Sequence, residues 1–331
     1  MGRTRPAASA AAVARAAAIL GRAVVAGAVP RRLPTEGPLV TVVIATYNWS
    51  SVLRHAIASV ELQRYSSWEL LVVGDGCSDD SQQAVEEVAA CDQRVRWLGL
   101  PQNSGSQSAP NNAGIAAARG DYIAYLGHDD IWLPDHLARL VACARRRRVP
   151  LAVALAAQIG PPGSSILHVG PLRAWSPGQS LVPSSLLHER ALAERSGGWR
   201  DFRELVQPPD TEFAQRLMQE AGGWAQSPAL TVLKFNSALR PRSYIERPSH
   251  EQAAALAAVR TRPRRTVLAL LLRVVALRLR RPRQRVSVAA APAPPLEPVL
   301  GRQVHEWRRI RGLPSLEEPA HDTGDTLDTP C

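Results

Sequence analysis

The sequence predicts an α/β protein built on an open, mostly parallel sheet flanked by helices. Three observations lead there. Continuous apolar, β-branched-rich runs, Val40–Ile44 (VTVVI) and the stretch ELLVVGDG that follows Trp68, read as strands buried on both faces, as in a parallel sheet covered by helices. Each run is followed by a helix-period segment, so residues 40–148 read β-α-β-α-β-α-β. Three of the strands end in polar stretches, TYN, GDG and GHDD. In open sheets of this kind ligands bind beyond the carboxyl ends of the strands.

Taken in order, PRRLPTEG at residues 30–37 is a linker, and the first strand begins behind it. SVLRHAIASVELQ is a helix with Val52, Ile57 and Val60 on one stripe and Ser50 or Ser51 available as its cap. The second strand, ending at Asp75, leads into a helix over SDDSQQAVEEVAAC, and RVRWLGL is the third strand. A Gly/Ser/Asn-rich loop, PQNSGSQSAPNNAG, feeds a short helix, IAAARG, ended by Gly120. DYIAYL is the fourth strand, with GHDD at its carboxyl end, and PDHLARLVACARRRR is the next helix. The second half is less regular. LAVALAAQIG and ALTVLKF read as strands, PSSLLHERALAERSGGW and PPDTEFAQRLMQEAGGW as helix-containing segments, and TVLALLLRVVALRLRR as an apolar, basic helix.

Composition bounds the function. The chain has 331 residues, 45% of them hydrophobic, enough for a sizeable core. The formal charge of +11 suits an anionic partner: a nucleotide diphosphate, a membrane surface or nucleic acid. Nucleic acid is disfavoured, because the arginine clusters lack interleaved aromatics and no nucleic-acid motif occurs. The four cysteines have neither metal-ligand nor disulfide spacing, which fits a reducing, cytoplasmic setting. No run reaches the ~20 apolar residues needed to span a bilayer. The basic stretch 264–285 is expected either to pack on the domain or to make peripheral contact with the inner face of a membrane.

The acidic pair Asp129–Asp130 poses an electrostatic problem. Two like charges about 4 Å apart near a protein surface repel by roughly 4 kcal/mol at an effective dielectric of about 20. Solvent or a cation must offset that.

Taken together, TVVIATYN, LLVVGDGCSDD and NNAGIAAARGDYIAYLGHDD resemble the family 2 glycosyltransferases, which have the GT-A fold. SGGWRDF followed by PPDTEFAQRL resembles the acceptor-side segment of that family, and the resemblance covers roughly residues 38–235. It implies a Rossmann-like GT-A sheet with a helical C-terminal extension. The expected organisation is an Arg/Ala-rich leader and linker over 1–37, a GT-A domain over 38–245, a basic, partly helical extension over 246–300 and a flexible tail over 301–331. The implied activity, of the kind used in cell envelope or polysaccharide biosynthesis, is inverting transfer of a sugar from a nucleotide-sugar donor to an acceptor hydroxyl.

The resemblance also implies roles. Thr46, Tyr47, Asp75, Asn112 and Asp129 would bind the donor, Asp129 and Asp130 would hold Mg²⁺ or Mn²⁺ on its diphosphate, and Asp210 would be the general base. The chemistry agrees. A hard divalent cation takes oxygen ligands and neutralises a leaving diphosphate, and a positioned base contributes about 10²–10⁴ in rate. The chain departs from the pattern in three places. Gly74 and Gly127 stand where the family carries acids, and Asn111 stands where its donor loop carries arginine. These departures motivate an alternative, a degenerate GT-A domain that binds a nucleotide or partner without turnover. Bland roles compete at each site: Asp75 as a turn residue, Asp210 as a helix cap, Glu212 as a rival base, His128 as a neutral side chain and Tyr47 as a strand-end aromatic. Lys234, Arg240 and Arg242 form a cluster that either faces solvent or compensates for the charge missing at Asn111.

Overall fold

The computed structural model describes residues 32–162, 167–170, 181–205, 207–280 and 308–310. The leader up to residue 31, positions 281–285 of the basic stretch and the tail beyond 310 lie outside the described residues.

The expected first half is present. Strands β1 (Val40–Thr46), β2 (Trp68–Asp75), β3 (Val95–Leu100) and β4 (Tyr122–Tyr125) alternate with helices α1 (Ser50–Glu61), α2 (Ser81–Ala89) and α3 (Ser108–Ala117). All four strands are parallel, in the spatial order β3-β2-β1-β4. Burial on both faces explains the apolar runs of β1, β2 and β4, every residue of β2 and β4 being buried, whereas β3 at the sheet edge is only partly buried. Helix α1 lays Leu53, Ala56, Ile57 and Val60 on the sheet, and a fully buried aliphatic side chain stabilises by about 1.5–3 kcal/mol. The expected serine cap is not used, because Trp49 takes the cap position. Asp79 supplies the acceptor from a neighbouring loop, taking the Ser50 amide at 3.1 Å.

The second half is mixed rather than parallel. After β5 (Ile131–Trp132) and α4 (His136–Arg147) come β6 (Leu151–Ile159), β7 (Leu167–Gly170), β8 (Leu186–Glu189), α5 (Arg190–Arg195), α6 (Pro209–Glu220) and β9 (Ala225–Phe235). These extend the sheet as β4-β8-β6-β9-β5, with β7 beside β6. The pairs β4·β8, β6·β8, β6·β7 and β5·β9 are antiparallel, and β6·β9 is parallel. The segment PSSLLHE, read as the approach to a helix, is instead a 3-10 turn at Pro183–Ser185 followed by β8. Its two leucines bury against the sheet edge that β4 leaves open.

Helices α7 (Ser243–Glu246), α8 (His250–Thr261) and α9 (Pro263–Arg280) form the C-terminal extension. Leu256, Val259, Leu271 and Val274 pack with Leu155, Leu230 and Leu233 into one apolar cluster, so the extension is part of the body. Among the described residues no helix is long and apolar enough to cross a membrane.

Candidate active site

The chain runs β1-β2-β3 to one side of β1 and then crosses to β4 on the other. Crevices open at such reversals, beyond the strand carboxyl ends. A cleft of about 530 Å³ lies here, within the usual size range of small-molecule sites. Thr46, Tyr47, Asp75, Asp129 and Asp210 of the expected set line it, joined by Asn111, His128, Lys234, Tyr244 and Arg308.

At one end, Asp75 closes β2 and is buried. Its carboxylate accepts from the Ser104 amide at 2.9 Å, the Ser104 hydroxyl at 3.0 Å and Asn103 Nδ2 at 2.9 Å. Burial pushes this carboxyl above the usual aspartate range, with the Ser104 bonds and the charge of Arg308 pulling the other way. Asp75 therefore shapes the loop at 103–105, and its oxygens are largely committed to it. Gly76 permits that close approach. Its φ is +66°, and a Cβ there would stand 2.4 Å from the Asn103 amide nitrogen. The neighbouring Gly74 has an equally concrete reason, since a Cβ there would meet the Trp97 ring at 2.2 Å.

Arg308 comes from the segment expected to be flexible. It is buried and donates to Gly105 O at 3.0 Å and Asn103 Oδ1 at 3.3 Å. Ile310 O accepts the Arg242 amide at 2.8 Å, so this turn is tied down at both ends. Nothing in its local sequence beyond a basic WRRIR run marked it.

Asn112 departs from expectation. Its side-chain amide is used in a reciprocal pair with the Trp199 backbone, Nδ2 to O at 2.7 Å and N to Oδ1 at 2.8 Å. Helical geometry turns the adjacent residue, Asn111, to the cleft instead. His128 bridges Thr46 Oγ1 at 3.2 Å and the Tyr244 hydroxyl at 3.2 Å, and its ring lies edge-on to Trp49. It braces the cleft wall. Tyr47 faces the cleft with Tyr244 beside it, ring centroids 6.5 Å apart.

The acidic pair is split. Asp129 faces the cleft, whereas Asp130 is fully buried behind it. Asp130 accepts from the Ser184 hydroxyl at 2.5 Å, the Phe235 amide at 3.1 Å and Lys234 Nζ at 3.2 Å. Register dictates this: the antiparallel β5·β9 pair sets Ile131 against Leu233, which brings Asp130 opposite Lys234. Lys234 Nζ also lies 3.6 Å from Asp129. Burial disfavours this ammonium, but Asp129, Asp130 and Asp210 outweigh it and hold its pKa above the usual lysine value. Gly127 leaves room for the arrangement, since a Cβ there would stand 2.8 Å from Asp130 Oδ2.

Asp129 and Asp130 therefore do not fit a divalent cation as a pair. The Asp130 oxygens are engaged, and an ammonium already lies beside both carboxylates. Among the described residues no cluster of three or more His, Cys, Asp or Glu side chains is placed to hold a metal ion.

Asp210 sits in the first turn of α6, two residues past the Pro208 cap, rather than capping the helix itself. It faces the cleft, and burial pushes its carboxyl above the usual range, with the Thr211 amide and Lys234 opposing. Its rival Glu212 is engaged elsewhere, gripped by Arg216 at 2.6 and 2.8 Å with Arg200 at 3.4 Å. Arg240 and Arg242 also turn away. Arg240 pairs with Glu251 at 2.8 Å and caps the Gly160 carbonyl, and Arg242 pairs with Glu246 at 3.2 Å. Of that basic cluster only Lys234 reaches the cleft.

Residues 41–168 match the family model for Glycosyl transferase family 2. Over that segment the chain is similar to the family 2 glycosyltransferases. The chain is 43% identical over 117 residues to the succinoglycan biosynthesis protein ExoO of Rhizobium meliloti (strain 1021), covering 35% of this chain and 32% of that protein. It is 30% identical over 158 residues to TuaG of Bacillus subtilis (strain 168), assigned as a teichuronic acid biosynthesis glycosyltransferase, covering 47% of this chain and 57% of that one. The chain spans less than two thirds of the length of these curated relatives. In three dimensions the chain is similar to S. aureus TarS 1-349, crystallised with UDP-GlcNAc. The TM-score is 0.51 at 16% identity, covering 72% of this chain and 73% of that one. The shared fold is GT-A.

Proposed function

We propose that the cleft binds a nucleotide-diphosphate sugar and transfers the sugar, with inversion, to an acceptor hydroxyl. The observation that carries this reading is Asp210. It is the one acidic side chain of the acceptor-side helix that faces the cleft, and its pKa is raised by burial rather than lowered by an ion pair.

The nucleotide lies toward Asp75, Tyr47 and the Arg308-braced loop, and the diphosphate toward Asp129 and Lys234. Asp210 takes the proton from the acceptor oxygen as that oxygen attacks the anomeric carbon, and the nucleoside diphosphate leaves on the opposite side. A weak nucleophile needs that base, which is worth about 10²–10⁴ in rate. No step is routed through a divalent cation, because the acidic pair is engaged as described. The acceptor class is a growing envelope polysaccharide, supported by relatives named for succinoglycan and teichuronic acid biosynthesis.

The domain also contacts anionic membrane through α9. Leu268 and Leu272, 44% and 60% exposed, share one face with the exposed Arg265 and Arg273.

The test is a panel of nucleotide sugars, with binding followed calorimetrically and sugar release by NMR. One donor is expected to bind and be slowly hydrolysed. Asp210→Asn is expected to keep binding and lose release by about 10²-fold or more. Binding without release from any donor, with acceptor glycans also inert, assigns the chain to the degenerate alternative.

A further inference from the structure

The carboxylates of two elements converge on a single ammonium. Lys234 is the penultimate residue of β9 and the only lysine in the chain. Its Nζ is 3.2 Å from Asp130 and 3.6 Å from Asp129, and the charge of Asp210 acts on it as well. The side chain is 23% exposed, and that exposure is to the cleft.

We propose that Lys234 supplies, from within the chain, the positive charge that the leaving diphosphate needs, so that this cleft binds its donor without a divalent cation. The proposal rests on the transferase reading above and deepens it.

An ammonium has three N–H donors and no acceptor. One is directed to Asp130 and one toward Asp129, leaving the third for a phosphate oxygen in the cleft. Asp130 acts as the anchor. Held by Ser184 and the Phe235 amide, it fixes the ammonium at the mouth of β4 without entering the cleft. A divalent cation would need carboxylate oxygens at about 2.0–2.6 Å. Asp129 is the only member of the pair that could offer one, and Lys234 stands beside it. Among the described residues no other lysine or arginine is placed for this role. Arg240 and Arg242 are paired away from the cleft, and Arg308 is bound to the loop at the nucleotide end. Lysine also suits the position chemically, as a compact point charge on a flexible stem.

The experiment measures binding of UDP, GDP, dTDP, CDP and ADP, and of the matching monophosphates, to the full chain in EDTA and in Mn²⁺ or Mg²⁺. One diphosphate is expected to bind in EDTA with the same affinity, within about twofold, as with metal. Lys234→Met should weaken that diphosphate by about 10- to 100-fold while moving the monophosphate little. Lys234→Arg should retain part of the diphosphate preference. Binding of the wild type only when metal is present overturns the proposal and leaves the transferase reading standing. So does an unchanged diphosphate-to-monophosphate preference in folded Lys234→Met. A panel in which no nucleotide binds with or without metal overturns both. The wild-type comparison needs no variant, so the test survives a substitution that fails to fold.

Discussion

Replacing Asp130 with alanine strands Lys234. The carboxylate is fully buried and satisfies three donors at once: the Ser184 hydroxyl, the Phe235 amide and the Lys234 ammonium. Breaking a buried ion pair by removing one partner costs about 3–5 kcal/mol, because the remaining charge is left uncompensated. Asp129, 3.6 Å from the same ammonium, retains part of the compensation, which places the loss near the lower end, about 3 kcal/mol. At roughly 2 °C or more per kcal/mol for a domain of this size, Tm falls by about 6 °C or more. The assay is urea unfolding of wild type, Asp130→Ala, Lys234→Met and the double variant. Removing both partners is far less costly than removing one, so the double variant should be more stable than additivity predicts by at least about 1 kcal/mol. Losses that add within about 0.5 kcal/mol would refute the reasoning, since uncoupled residues behave that way.

Further outcomes follow from the same geometry. The proposed base, Asp210, must be ionised to accept a proton, and burial raises its pKa. The acidic limb of kcat/KM against pH should therefore lie above the ordinary aspartate range of about 3.9, with activity lost as the pH falls through the raised value. A limb at the ordinary value would argue against Asp210. Asn112→Ala leaves the buried Trp199 amide and carbonyl without their partners and should cost about 1–3 kcal/mol in chemical denaturation, with donor affinity unchanged. A loss of donor affinity without loss of stability would return Asn112 to the binding set. Flotation with anionic vesicles should capture the full chain, and Leu268→Asp with Leu272→Asp should abolish it at equal fold stability; a wild type that stays at the bottom of the gradient removes the membrane contact.

The parallel half was legible because β1, β2 and β4 are buried on both faces, and double burial writes a continuous apolar run into the chain. The later strands were harder. The leucines of β8 bury between β4 and β6, but the run is four residues long and abuts α5, so its local pattern reads as helix. β5 is two residues, Ile131–Trp132, too short to leave any periodicity, yet its pairing with β9 decides which lysine meets which aspartate.

The site divides the same way. The order TYN, GDG and GHDD by itself set three polar strand ends at one edge of a sheet, the family resemblance added Asp210, and Thr46, Tyr47, Asp75, Asp129 and Asp210 all line the cleft. A residue's place on a strand end follows from chain order and burial, both of which are local. Its commitments do not. Only the tertiary structure turned Asn112 to Trp199 and Asn111 to the cleft, and filled the space beside Gly74 with Trp97. It brought Arg308 across more than two hundred residues to the Asp75 end of the cleft, and it set Lys234 against Asp130 through a strand register. Each of those depends on a partner distant in sequence, and a hydrogen bond or ion pair of that kind leaves no mark on the residues to either side of it.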